Sequence, residues 1–218
     1  YRKAPEHKFP AGSKDVEKVL NWIVENELQG QKLFLIGDSG GANIIAGIAP
    51  EYESRIDAQV LINPILDLRE ESAGYQNYGI FIDWYLESKS DAEHPKASPI
   101  LTAEFNSVPD TYIITCSQDS LKRDGDLYYD KLKEAGVNVQ IMNFEGLGHL
   151  AELWAGATSE TDSVRKYVVK KVQLEINKVF TSDALKIRKV GDNTYVHISY
   201  LNDPQYGKVA CNGMVVNT

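Results

Sequence analysis

From residue 12 onward the apolar positions of this chain change period repeatedly, from helical spacing to short continuous runs and back. The first helical stretch, residues 13–28 (SKDVEKVLNWIVENEL), carries Val16, Val19, Leu20, Ile23 and Val24 on one face, with Ser13 placed to cap it and Gly30 to end it. KLFLIG (32–37) is an apolar run without alternation, as expected of a strand buried on both faces of a parallel sheet. GGANIIAGIA (40–49) predicts a closely packed helix of small residues, and AQVLIN (58–63) a second strand. The same order resumes with TYIITC (111–116) as strand, LYYDKLKEAG (127–136) as a helix closed by Gly136, VNVQIMNF (137–144) as strand and a long helix at about 159–179. Strands alternating with helices in this way predict an α/β fold with a mainly parallel sheet.

Two stretches break the alternation. Residues 64–108 hold three prolines and the aromatic run Tyr75, Tyr78, Phe81, Trp84 and Tyr85, and read as an excursion that covers the sheet edge and contributes to a substrate lid. After about residue 180 the period falls to two: ALKIRKV, the turn-forming GDN and TYVHISYL alternate as a hairpin would. The expected organisation is therefore an α/β domain over residues 1–180 with the excursion inside it, and a β-rich extension, or the opening of a further module, over 181–218. No internal repeat or low-complexity segment interrupts this reading.

Composition narrows the partners. With 31 acidic against 23 basic residues the formal charge is −8, and no basic run gathers on one face, so nucleic acid is an unexpected ligand. The two cysteines, Cys116 and Cys211, lie far apart and imply neither a disulfide framework nor a cysteine-rich metal site. No run reaches the roughly 18 apolar residues of a membrane span. No signal pattern opens the chain, but its first residue is Tyr1, so the compartment is left open. The expected partner is a small molecule, and a homo-oligomer is left open as well.

The chemistry is carried first by Gly37-Asp38-Ser39-Gly40-Gly41, a G-x-S-x-G run between a strand and a helix. A serine hydroxyl is a weak nucleophile and must be lifted out of the backbone on a tight turn, which Gly37 and Gly41 permit. The helix that follows aims N–H groups at the site, and that of Gly40 would meet the oxyanion formed during ester attack. A phosphate cradle is the plainer alternative, but no Lys follows to make one. A nucleophilic serine needs a base and an orienting carboxylate. Asp119 comes three residues after the strand ending at Cys116, and His149 five residues after the strand ending at Phe144. Both fall at the carboxyl ends of strands, the rim where open α/β sheets bind ligands, and Gly146 and Gly148 would let the histidine loop turn sharply. Alone, His149 would read as a surface or capping histidine and Asp119 as a helix cap; their strand-matched positions beside Ser39 favour the catalytic reading. His7, His94 and His197 are rival bases in less apt places, and Asp124 is a rival acid about one helical turn further in.

Several segments together resemble the hormone-sensitive-lipase-like esterases of the α/β-hydrolase fold. YRKAPEHKFPA (1–11) is similar to that family's YRLAPE turn, GDSGGAN (37–43) to its GDSAGGN elbow, HPKASPI (94–100) to DPRASPL and DSLKRDG (119–125) to DPLRDEG, while Gly148-His149 matches its histidine loop. The resemblance covers about residues 1–180. It implies a three-layer sandwich and an esterase without cofactor or metal that cleaves small, short-chain acyl or acetyl esters. Ser39 would be the nucleophile, His149 the base and Asp119 the orienting acid. Gly40 stands where the family has alanine, Ser120 where it has proline, and Arg123 where it has its second acid. In the family, the first strands and an HGGG loop with further oxyanion donors precede the YRLAPE turn, whereas nothing here precedes Tyr1. The resemblance thus implies a fragment whose first strands are missing. Since losing one such donor typically costs roughly 10²–10³ in rate, it also implies a poor catalyst in isolation. A non-catalytic ligand-binding protein on the same scaffold is the rival expectation.

Overall fold

The computed structural model describes residues 1–26, 32–52 and 54–149, residues 166, 167 and 170, and the backbone of three strands at 200–203, 207–210 and 214–217. The chain divides into two compact units, Tyr1–Leu150 with Asn212–Thr218, and Ala151–Cys211. Of the expected helix at 159–179 only residues 166, 167 and 170 are described, and they are helical; the 180/181 boundary and nearly all of the expected hairpin lie outside the described residues.

In the first unit the strands β1 (Leu33–Asp38), β2 (Ala58–Ile62), β3 (Asp110–Cys116) and β4 (Val139–Phe144) form a parallel sheet, in the spatial order β4-β3-β2-β1. Almost every residue of β1, β2 and β3 is buried, so both faces are covered, as the runs without alternation require. Ahead of β1 runs α1 (Ala11–Asn26), and between the strands run α2 (Ser39–Ile48), α3 (Ala73–Tyr85) and α4 (Lys122–Glu134). One core joins Leu20 and Ile23 of α1, Ile45 and Ile48 of α2, and Tyr128 and Leu132 of α4 to Leu35, Leu61 and Ile113 of the sheet. The outer edge of β1 pairs antiparallel with a short strand near the chain's end, β7 (Met214–Asn217), with Phe34 opposite Val216 and Ile36 opposite Met214. In the second unit, β5 (Tyr200–Asp203) and β6 (Gly207–Ala210) form an antiparallel pair.

Several expected boundaries move for local reasons. The helix α1 begins at Ala11, because the carbonyl of Pro10 already accepts the N–H of Lys14; Ser13 is therefore a buried helical residue and not a cap. Val19 is 51% exposed and not on the buried face. At 100° per residue it stands on the flank of the stripe that Val16, Leu20 and Ile23 centre. The helix α4 starts five residues before the expected Leu127, since Asp119 Oδ1 accepts the N–H of Leu121 and turns the chain into a helix at once. Its Gly125 presses on β3, where an added Cβ would lie 2.7 Å from Thr115.

The excursion is also more ordered than its composition implied. It holds α3, capped by Ser72 Oγ accepting the N–H of Tyr75 at 2.9 Å and kinked at Tyr78, followed by short 3₁₀ turns. Asn43 of α2 donates to the carbonyls of Ile65 and Ala97, and Asp124 of α4 accepts the N–H groups of Leu66 and Asp67. These bonds hold the excursion against α2 and α4, and its residues wall the opening that Ser39 faces.

Candidate active site

Ser39 follows the last residue of β1 and is the first of α2, with φ of 50°, a left-handed conformation rare for a residue with a side chain. The turn is tight because Gly37 permits it: a Cβ there would come within 2.7 Å of the Gly41 carbonyl carbon and 2.8 Å of the Ala42 nitrogen. At Gly40 an added Cβ would meet nothing within 4 Å, so an alanine would fit as well. Asp38 makes no side-chain bond that caps α2, so the helix presents its first-turn N–H groups, Gly40 among them, at the rim of the sheet.

The loops after β3 and β4 are tied to each other. Ser117 N donates to the Phe144 carbonyl at 3.0 Å, Gln118 N to the Leu147 carbonyl at 2.9 Å, and Gly146 N to Ser117 Oγ at 2.9 Å. Gly146 takes φ of 77° to make the turn, whereas Gly148, expected to share that task, has no left-handed φ. This bracing brings residues 119 and 149 together. His149 Nδ1 lies 2.9 Å from Asp119 Oδ2, and its Nε2 lies 3.0 Å from Ser39 Oγ. Asp119 is buried, and its Oδ1 accepts the Leu121 N–H at 3.0 Å. The ring of Tyr78 packs against the imidazole at 5.7 Å between centroids.

Two residues that were not singled out, or were read as rivals, have defined places. Asp124 does not face the imidazole: it is buried in the first turn of α4, both backbone donors from the excursion meet its Oδ2, and burial pushes its carboxyl up to about 6. Asn63, at the end of β2, donates its side-chain amide to Asp119 Oδ2 and holds φ of 44°. Its only mark in the sequence was an Asn-Pro pair closing a strand, a turn signal without an address. Among the described residues the amide oxygen of Asn63 is buried without a hydrogen-bond partner, an arrangement that costs on the order of 1–3 kcal/mol. The thiol of Cys116 borders the same amide, and burial pushes it up to about 11, which makes it a space-filling group and not a nucleophile. His7 and His94 take no part, and His197 lies outside the described residues.

A cavity of about 410 Å³ opens onto Ser39 and Gly40. Its walls are mainly apolar, from Ile65 and Leu68 of the excursion, Tyr78, Phe81 and Ile82 of α3, and Leu121 before α4. Burial pushes the hydroxyl of the wall residue Tyr85 up to about 12. Among the described residues, no group of three or more His, Cys, Asp or Glu side chains is placed to hold a metal ion, and no helix is long and apolar enough to cross a membrane.

A parallel sheet with a serine on the strand-to-helix turn, hydrogen-bonded through an imidazole to a buried carboxylate, defines a class of α/β proteins. The chain belongs to the α/β-hydrolase fold family, whose model matches residues 1–153. Over 168 residues it is 27% identical to an arylesterase of Saccharolobus solfataricus, covering 68% of this chain and 55% of that protein. It is 31% identical over 169 residues to a gibberellin receptor of Arabidopsis thaliana, covering 66% of this chain and 49% of the receptor. Among solved structures, a hyperthermophilic esterase from the archaeon Pyrobaculum calidifontis superposes with a TM-score of 0.71 at 28% identity, over 82% of this chain and 65% of that one. The chain thus spans about half the length of the relatives it matches.

Proposed function

We propose that the protein is a serine carboxylic-ester hydrolase that turns over short acyl or acetyl esters of small alcohols through an acyl-enzyme. The observation that carries this reading is the continuous relay of Ser39 Oγ, His149 and Asp119, with bonds of 3.0 and 2.9 Å, at the mouth of a mainly apolar cavity. His149 Nε2 takes the proton of Ser39 as its Oγ attacks the ester carbonyl, then returns it to the leaving alkoxide as the tetrahedral intermediate collapses. Asp119 keeps the proton of His149 on Nδ1 and stabilises the imidazolium. The N–H of Gly40 donates to the oxyanion. Water, activated by the same imidazole, then releases the acid and restores Ser39.

A second reading draws on the likeness to a gibberellin receptor: a protein that binds a small molecule in this cavity without cleaving it. Turnover of p-nitrophenyl acetate and butyrate by the full-length protein and by Ser39→Ala separates the two. The hydrolase reading expects a rate lost in the variant. Absence of any serine-dependent rate overturns it in favour of binding.

A further inference from the structure

The carboxylate of Asp119 has two oxygens and two different tasks. Its Oδ1 holds the backbone of Leu121, and its Oδ2 meets both His149 Nδ1 and the side-chain amide of Asn63. An ionised carboxylate only accepts, so Asn63 must turn its NH₂ group toward Asp119, and this leaves its own oxygen buried and without a partner among the described residues. The backbone of Asn63 is fixed as well: its N–H donates to the Ile114 carbonyl at 2.7 Å, and its φ of 44° aims the side chain across the end of β3. Neither the left-handed φ nor the orphaned oxygen favours folding. Both follow from delivering one donor to one carboxylate oxygen.

We infer that Asn63 is a positioning residue of the hydrolytic site, fixing the Asp119 carboxylate so that Oδ2 stays in line with His149 Nδ1, a role that rests on the hydrolase reading above. Without this second anchor the carboxylate is left with the Leu121 N–H on Oδ1 and the imidazole it must itself orient, and it is free to turn about its last torsion. His149 then loses the partner that keeps its proton on Nδ1 and its Nε2 lone pair toward Ser39. Asn63 touches no reacting atom and acts through Asp119 alone.

Two variants of the full-length protein test this. Asn63→Gly keeps the positive φ without strain and removes the amide; Asn63→Asp keeps size and conformation but sets a second carboxylate against the first. Expected for Asn63→Gly is a kcat lowered about 10- to 100-fold, a scale set by small misplacements of catalytic groups, with KM and thermal midpoint nearly unchanged. Expected for Asn63→Asp is a kcat/KM profile whose pH dependence departs from that of wild type, because two carboxyls in hydrogen-bond reach share a proton and the charge facing the imidazole changes as that proton is lost. The downfield proton resonance of the His149 Nδ1–H should be shifted or lost in both. A kcat within twofold of wild type in Asn63→Gly, a loss that merely tracks a fallen thermal midpoint, or an unmoved resonance overturns the inference. Should the wild type show no Ser39-dependent turnover, the hydrolase reading falls, and the resonance still decides whether Asn63 holds Asp119 against His149.

Discussion

Asp119 lies 2.9 Å from His149 Nδ1, while Asp124, five residues on and also buried, spends its Oδ2 on the backbone of Leu66 and Asp67. Two neighbouring acids thus have separate work, and their amides should fail differently. Asp119→Asn presents an NH₂ group or a poorer acceptor to Nδ1 and favours the wrong imidazole tautomer, so kcat on p-nitrophenyl butyrate should fall by roughly 10⁴. Asp124→Asn keeps an acceptor for both backbone donors and should leave kcat within a few-fold. Equal losses in the two variants would mean that Asp124 shares the orienting role.

Asp124 predicts instead a pH-dependent stability. Burial raises its carboxyl from 3.8 to about 6, so the folded state binds its proton more tightly than the unfolded chain does. Above about pH 6 the charge is buried in full, at a cost of about 3 kcal/mol for a shift of roughly two units. As pH falls from about 6 to 4 the folded state takes up the proton and that cost is relieved. Asp124→Asn, which carries no charge, should therefore be more stable than wild type at pH 8, with the difference closing by pH 4. Urea melts at the two pH values measure it. A variant less stable than wild type at pH 8 would show that the two bonds to Leu66 and Asp67 outweigh the desolvation of the charge.

The elbow offers a paired test within five residues. Gly37→Ala drives a methyl against the backbone of Gly41 and Ala42 at 2.7–2.8 Å, where nothing is free to give, and should cost about 1–3 kcal/mol and displace Ser39. Gly40→Ala adds its methyl to open space and keeps the N–H. It should leave both the thermal midpoint and kcat within about twofold or a degree or two of wild type, consistent with the family's alanine there. Thermal melts and butyrate turnover on the two proteins read both effects. A harmless Gly37→Ala would contradict the tight turn.

The parts of the site that could be read in advance are those whose meaning is local. Ser39, Asp119 and His149 each follow within a few residues the end of a strand of the parallel sheet, buried for Ser39 and Asp119 and half-buried for His149, so strand order alone sends them to one rim. What could not be read depends on contacts between distant segments. Asn63 acquires its place only through a bond to a residue 56 positions away and a left-handed φ, and Asp124 through donors 57 and 58 positions back. The pairing of β1 with β7 joins residues 33–36 to residues 214–217, a four-residue match too short to stand out as a strand by its pattern. Helix boundaries moved for a related reason: the N–H of Lys14 donating to the Pro10 carbonyl and that of Leu121 donating to Asp119 Oδ1 start helices earlier than apolar spacing alone shows.

The cavity wall makes the last prediction. Ile82 is 3% exposed, packs with Leu68, Leu86 and Leu121, and still lines the cavity that opens onto Ser39, so its side chain is shared between core and pocket. Ile82→Ala removes three carbons from that wall. If the acyl chain lies along it, the space gained lets two or three further methylenes enter, each worth about 0.8 kcal/mol on burial, so the ratio of kcat/KM for hexanoate over acetate should rise by one to two orders of magnitude. The same truncation should lower stability by about 2–4 kcal/mol, because the remaining cluster closes the void only in part. Phe81→Ala, at a wall position 60% exposed, should cost far less stability while widening the mouth. Turnover of a p-nitrophenyl ester series from acetate to octanoate, measured beside urea melts of the three proteins, separates the two effects. An unchanged chain-length profile in Ile82→Ala would put the acyl group on the opposite wall of the cavity.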